Sequence, residues 1–241
     1  MTAIAIALTF ASGAADVTSF TRLGDVFTSV MTGNIVLWGL AVARGSLTLF
    51  SHTAVSIAGY ITGVAAATLI AHRVKTIGIG AAALLDAHVI WVLRTELTLL
   101  AGFGVGWEVS GATPAGWAQF CLLATLAAAM GMQSAAVNDM GLAQVSTTFL
   151  TGTLTGLVSS LVSPGKKTPH RLRRYGVLAG LAAGASLGGL LVATVPDAVP
   201  ALPLAALITT LFLAARAAAP AAASPDAGTE DRGSSLPAGG T

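Results

Sequence analysis

Charge is what this sequence has least of. Its 241 residues include 12 Lys plus Arg and 10 Asp plus Glu, or 9% of the chain. A soluble domain carries about 25%, because it must cover itself with hydrated groups. With 54% apolar residues and a mean hydropathy of +0.81, the chain cannot coat a water-facing surface of its own. That excludes a soluble enzyme, a nucleic-acid binder and a disordered scaffold. Cysteine is nearly absent too. Cys121 stands alone, so no intrachain disulfide and no multi-thiolate metal site can form, and it reads as a small packing residue. The four histidines are scattered and make no metal site. Catalytic patterns are also missing: there is no H-E-x-x-H, no Walker A run and no G-x-S-x-G. Ser163-Pro-Gly-Lys166 matches S-x-x-K only formally, and Gly102-Phe-Gly-Val-Gly106 lacks the strand–helix context of a nucleotide fingerprint. No enzymatic activity and no cofactor are expected. The net charge of +2 is too small to define an acidic partner.

Long apolar runs, by contrast, are plentiful. A spanning helix needs about 20 mainly apolar residues. Eight segments meet or approach that length: 1–20, 26–44, 47–72, 77–99, 116–137, 145–163, 174–195 and 199–219. The runs are continuous rather than alternating, which disfavours a β-barrel. The 28 glycines suit close helix packing in lipid. The fold class is therefore an all-α, polytopic transmembrane bundle of six to eight spans. The first segment lacks the basic start of a signal peptide and is read as a span. Residues 220–241 form a low-complexity tail, expected to be disordered.

The chain also repeats itself. At one fixed offset Leu23, Val26, Thr28, Thr32 and Gly33 meet Leu142, Val145, Thr147, Thr151 and Gly152. Downstream, Ala58-Gly-Tyr-Ile-Thr-Gly63 lies over Ala179-Gly-Leu-Ala-Ala-Gly184 after a two-residue change of offset. This divides the chain into a first repeat, 1–110, and a second, 111–219. Duplicated membrane proteins commonly hold a substrate or ion where the halves meet. Segments 26–44 and 145–163 are too rich in Thr, Ser and Gly for a lipid-facing helix. Each is a full span, or a re-entrant or broken helix. Eight spans make the halves parallel, and six make them inverted. The positive-inside rule does not choose. Eight spans set Arg44, Arg94, Lys166, Lys167, Arg171, Arg173, Arg174, Arg216 and Arg232 against Arg22, Arg73 and Lys75. Six spans merely exchange Arg73 and Lys75 for Arg44 and Arg94. Either way both termini are expected to be cytoplasmic.

Ionisable groups at membrane depth are costly, so each is a candidate for function. Asp16 shares one helical face with Thr9, Ser12 and Ser19. It is either a cation or proton site at the repeat seam, or an interfacial carboxylate bonded to neighbouring hydroxyls or Arg22. Asp86 and His88 fall near the middle of 77–99, as possible proton relays or as two separate helix–helix bonds. Arg94 and Glu96 read as an ordinary pair at a helix end. Gln133, Asn138 and Asp139 close the fifth segment. Gly176, Gly180, Gly184 and Gly188 recur every fourth residue, a packing face.

Gly13-Ala-Ala-Asp16, Phe27-Thr-Ser-Val-Met-Thr-Gly-Asn-Ile-Val36, Gly131-Met-Gln133 and Thr147-Thr-Phe-Leu-Thr-Gly152 together resemble the YoaK-like bacterial membrane proteins, over about 1–215. Members often have Asn where this chain has Ser134. Most begin with a polar stretch absent here, which makes Met1 a candidate late start. The family is one of unknown function, so the resemblance implies a membrane location and no substrate. The reading is a small-solute or ion transporter or channel of the bacterial inner membrane. Asp16, Thr32, Gly33, Asn34, Gln133, Thr151 and Gly152 would line its site, and Asp86 or His88 would couple protons. A non-catalytic scaffold or subunit of a larger membrane complex is the alternative, with a homo-oligomer open in either case. Partners are then the lipid bilayer and an unidentified solute or ion, with no nucleic acid and no metal.

Overall fold

A computed structural model describes residues 2–76, 87–141, 147–162 and 171–218. Among the described residues there are eight α-helices and no strand: α1 Thr2–Arg22, α2 Met31–Arg44, α3 Leu47–Thr76, α4 Ala87–Val109, α5 Trp117–Asp139, α6 Thr147–Val162, α7 Arg171–Thr194 and α8 Ala201–Ala218. Six are long and apolar enough to cross a membrane, namely all but α2 and α6. At 1.5 Å per residue the 14 residues of α2 reach about 21 Å, short of the roughly 30 Å hydrocarbon core. The chain is a multi-pass, all-α membrane bundle.

Register follows from polar contacts between helices. At one end of the bundle Gln119 Nε2 donates to the carbonyl of Arg22 (3.1 Å) and Gln119 Oε1 meets the His52 ring (3.2 Å). The Arg22 guanidinium donates to Val192 O, 3.0 Å away, and the Trp107 indole N–H to Pro196 O at 2.9 Å. At the opposite end His88 Nε2 lies 3.2 Å from Asp139 Oδ2. Helices α1 and α5 are thus antiparallel, and so are α4 and α5. Four helices form the centre: α1 packs on α5 and α8, and α4 packs on the same two and touches α8. Outside them α7 lies along α1 and α3 along α5, while α2 packs on α3 and α6 on α7.

The outer pairs run parallel and very close, because small residues remove the side chains that would hold them apart. A Cβ added at Gly184 would overlap the Phe10 carbonyl, and one at Gly13 that of Leu181. In the α3–α5 pair Gly63 meets the Ala128 backbone and Gly131 that of Tyr60 in the same way. The every-fourth-residue glycines therefore do pack a helix face.

The fourth span differs from its sequence reading. The sequence reading ends the apolar run at 99, whereas the helix described, Ala87–Val109, continues ten residues further, and 77–86 lie outside the described residues. Hydropathy fixed the presence of a span but not where it ends. His88 lies at the Asp139 end of α5. Glu96 is not at a helix end: it stands mid-helix and is fully buried. Asp86 lies outside the described residues.

Replacing Gly184 by Leu should force α7 from α1 and cost about 1–3 kcal/mol by overpacking. Gly39→Leu, at a site with open space around it, should cost almost nothing. Thermal unfolding of the purified chain measures both.

Candidate functional site

The chain leaves α1 through a tight turn. Gly24 has φ +107° and Asp25 +59°, both in the left-handed region, and Gly24 rests against the His52 ring with no room for a Cβ. Residues 26–30 are not helical, yet they run back into the bundle rather than over its surface. Their backbone polar groups then need partners from side chains, as they would in lipid.

Asp16 supplies most of them. Its Oδ1 accepts the backbone N–H of Thr28 (2.9 Å) and of Ser29 (2.8 Å), as well as the Thr28 hydroxyl (3.2 Å). Its Oδ2 accepts the Ser29 hydroxyl. Asn34 serves Phe27 twice: Oδ1 accepts the Phe27 N–H (2.9 Å), and Nδ2 donates to the Phe27 carbonyl (2.6 Å). Ser56 of α3 adds a third bond, donating its hydroxyl to that same carbonyl. Asp16, Thr28, Ser29, Asn34 and Ser56 are all buried. From this lock α2 starts at the depth of Asp16 and Ser56, and Trp38 packs on Phe50 with ring centroids 5.4 Å apart. It ends beside the turn where α1 ended, since Gly24, Asp25, Arg44 and Ser46 line one shallow cavity. The segment goes in and returns to the same end.

The residues singled out from the sequence divide into groups. Asp16 and Asn34 come together through Phe27, Thr28 and Ser29, while Arg22 takes no part in the lock. Gln133 is buried nearby, donating to Leu8 O (3.1 Å) and Ser12 Oγ (2.8 Å), one turn from Asp16 on the same face of α1. Thr32 is exposed on α2, and Gly33 packs on the Phe27 ring. Thr151 and Gly152 are exposed on α6, with the Thr155 hydroxyl bonded to the Thr151 carbonyl. His88 pairs with Asp139.

Two further features were not legible in the sequence. A cavity of about 460 Å³ opens between α3, α4 and α5, lined by Thr68, His72, Lys75, Ser134, Asn138 and Asp139 among others. A separate cavity of about 310 Å³ between α1 and α7 is almost wholly apolar apart from Asp16. The other feature is Glu96, whose two oxygens have no hydrogen-bond partner among the described residues. The helix continues to Val109, ten residues past the end of the apolar run as read, and that concealed it. Ser56 was missed because one serine in a long apolar run carries no periodic signal.

Among the described residues no group of three His, Cys, Asp or Glu side chains could hold a metal ion. Residues 4–215 match the model of the family DUF1275, described as a protein of unknown function. The UPF0700 transmembrane protein YoaK of Bacillus subtilis (strain 168) is 32% identical over 154 residues, or 64% of each chain. The match therefore spans about 64% of that relative's length. No solved structure matches.

Asp16→Ala should destabilise the protein by about 1–3 kcal/mol for each of the two backbone N–H groups it orphans. It should also open 26–30 to solvent. Thermal unfolding gives the first quantity, and thiol labelling of Ser29→Cys in the Cys121→Ala background gives the second.

Proposed function

The chain belongs to the DUF1275 family, and on that premise we propose that it is a non-enzymatic small-solute or ion transporter or channel of the bacterial inner membrane. The observation that carries this reading is the half-length helix α2, which begins inside the bundle and is fastened there by a buried carboxylate. Non-helical backbone at membrane depth is tolerated where it is buried in protein or lines a cavity, and broken helices of this kind place binding groups in transporters. Asp16 and Asn34 position the break. Thr32 and Gly33 lie in the first turn beyond it, where the helix N-terminus carries partial positive charge. Thr151 and Gly152 hold the matching place in α6, and Gln133 ties α5 to α1 beside the lock.

Packing supports a duplication with inverted halves. Matching α1 with α5, α3 with α7 and α4 with α8 turns the main contacts into one another, α1–α7 into α5–α3 and α4–α5 into α8–α1, although among the described residues α3–α4 has no such counterpart in α7–α8. The matched helices α1 and α5 are antiparallel, as inversion requires. Arg73, Lys75, Arg173, Arg174 and Arg216 belong to the end where α1 starts and α8 stops, with Arg22 and Arg44 at the other. By the positive-inside rule the first end, and both termini, face the cytoplasm.

Single cysteines at Ser46 and Val162 in a Cys121→Ala background should be labelled from opposite faces of the membrane. Labelling from the same face would overturn the inverted arrangement. In liposomes under proton, sodium or potassium gradients, Thr32→Val and Thr151→Val should each lower flux at least tenfold without changing thermal stability. Wild-type protein that moves no solute under any gradient, or variants that lose only stability, would instead mark a scaffold.

A further inference from the structure

The four inner helices hold polar side chains whose donor protons are already engaged. On α1, the Thr9 hydroxyl donates to Ala5 O (2.6 Å) and Ser12 to Leu8 O (3.2 Å); on α8, Thr210 donates to Ala206 O at 3.0 Å. These hydroxyl protons are committed to their own helices. On α5, Gln133 points its amide N–H groups at Leu8 O and Ser12 Oγ. A backbone carbonyl can only accept, so the amide orientation is fixed and Oε1 is left over. Among the described residues that oxygen is buried without a partner. On α4, Glu96 is 0% exposed and both its oxygens have no partner among the described residues.

Contacts between α4 and α5 set the depth of these groups. His88 meets Asp139, and Gly106 packs on Leu122. In that antiparallel register Glu96 stands level with Gly131, Met132 and Gln133. A buried carboxylate with no hydrogen-bond donor among the described residues has nothing to offset the loss of its hydration. What it can take is a positive charge.

We infer that Glu96 is a proton-binding site in the membrane core of this protein, exchanging its proton with water. A proton from hydronium forms the O–H bond on one carboxyl oxygen, and its release to water restores the carboxylate. A proton needs no volume, and none of the cavities described reaches Glu96 itself. The polar cavity comes close, because it is lined by Val92, one helical turn from Glu96, and carries His72 and Asp139 towards the bundle end. That is the route by which water reaches the site.

The other titratable groups lie elsewhere. On α5 they are Asp139, held by His88, and the exposed Cys121; on α8 there is Arg216 in the last turn. Helix α3 contributes Tyr60, His72 and Lys75 to the cavity wall, Arg73 beside them, and His52 at the far end on Gln119. Helix α4 itself carries His88, Arg94 over the Trp91 ring, and the exposed Glu108. None of these is hydrogen-bonded to Glu96.

The inference is independent of the transport reading, because the charge of Glu96 can be read whether or not a solute crosses. The test is difference infrared spectroscopy of the full chain in lipid nanodiscs, between mildly acidic and mildly alkaline buffer. Isotope labelling of glutamate carboxyls separates them from aspartates. A protonated-carboxyl C=O band should appear on the acidic side, disappear on the alkaline side and be absent from Glu96→Gln. A band that never changes, or one that persists in Glu96→Gln, would overturn the assignment. Should Glu96→Gln not fold, the labelled wild-type chain still decides by pH response alone. The other glutamates of the chain are Glu108 and Glu230, and Glu108→Gln with Glu230→Gln in the labelled chain leaves the band to Glu96.

Discussion

The bonds from Asp16 to the N–H groups of Thr28 and Ser29 are the contact on which the rest of this architecture depends. A helix satisfies its own backbone, and so crosses lipid without help. A chain that stops being helical at membrane depth loses that self-sufficiency and must borrow acceptors and donors from its neighbours. Asp16 provides acceptors for two amides and two hydroxyls, and Asn34 closes the remaining residue on both sides. Without them 26–30 has no low-energy conformation within the bundle. Helix α2 then has no reason to begin where it does, and α3 no reason to begin beside the end of α1.

The lock works only because the surrounding helices approach closely. Backbone-to-backbone contact at Gly13 and Gly184 brings α7 against α1, and Gly63 with Gly131 does the same for α3 and α5. Dispersion over such close contacts replaces the hydrophobic drive that lipid does not supply. The α3–α5 pair carries Ser56, so the third bond to Phe27 O depends on that packing as well. Polar groups in the inner four helices are mostly satisfied within their own helix, which keeps the bundle stable in lipid. Among the described residues Glu96 and Gln133 Oε1 are the exceptions, both on the α4–α5 side.

Much of this was legible from residues in order. Seven of the eight helices lie where apolar length placed them, and Asp16 was singled out by polarity at depth, Asn34 by its place in the Thr-Gly segment and Gln133 by its place at the close of the fifth segment. The polarity of 26–44 left a full span, a re-entrant helix or a broken helix open. It did not say which neighbour would satisfy the break, because Thr28 and Ser29 lie 12 and 13 residues from Asp16, a separation no local period links. Glu96 was misread as a helix-end residue for a different reason. The sequence reading ends the apolar run at 99, which puts Glu96 near a terminus, whereas the described helix continues to Val109.

By itself, the sequence determined that this protein lives in a membrane as a helical bundle, since so few charges leave it no other solvent. It also marked the two Thr-Gly segments as too polar for a lipid-facing helix. Only the tertiary structure decided that α2 goes in and comes back, that the small residues pair α1 with α7 and α3 with α5, and that one glutamate is stranded at the core. Composition reports the average solvent a chain can tolerate. Which particular donor meets which acceptor is settled by helices far apart in sequence, whose relative depth no local pattern encodes.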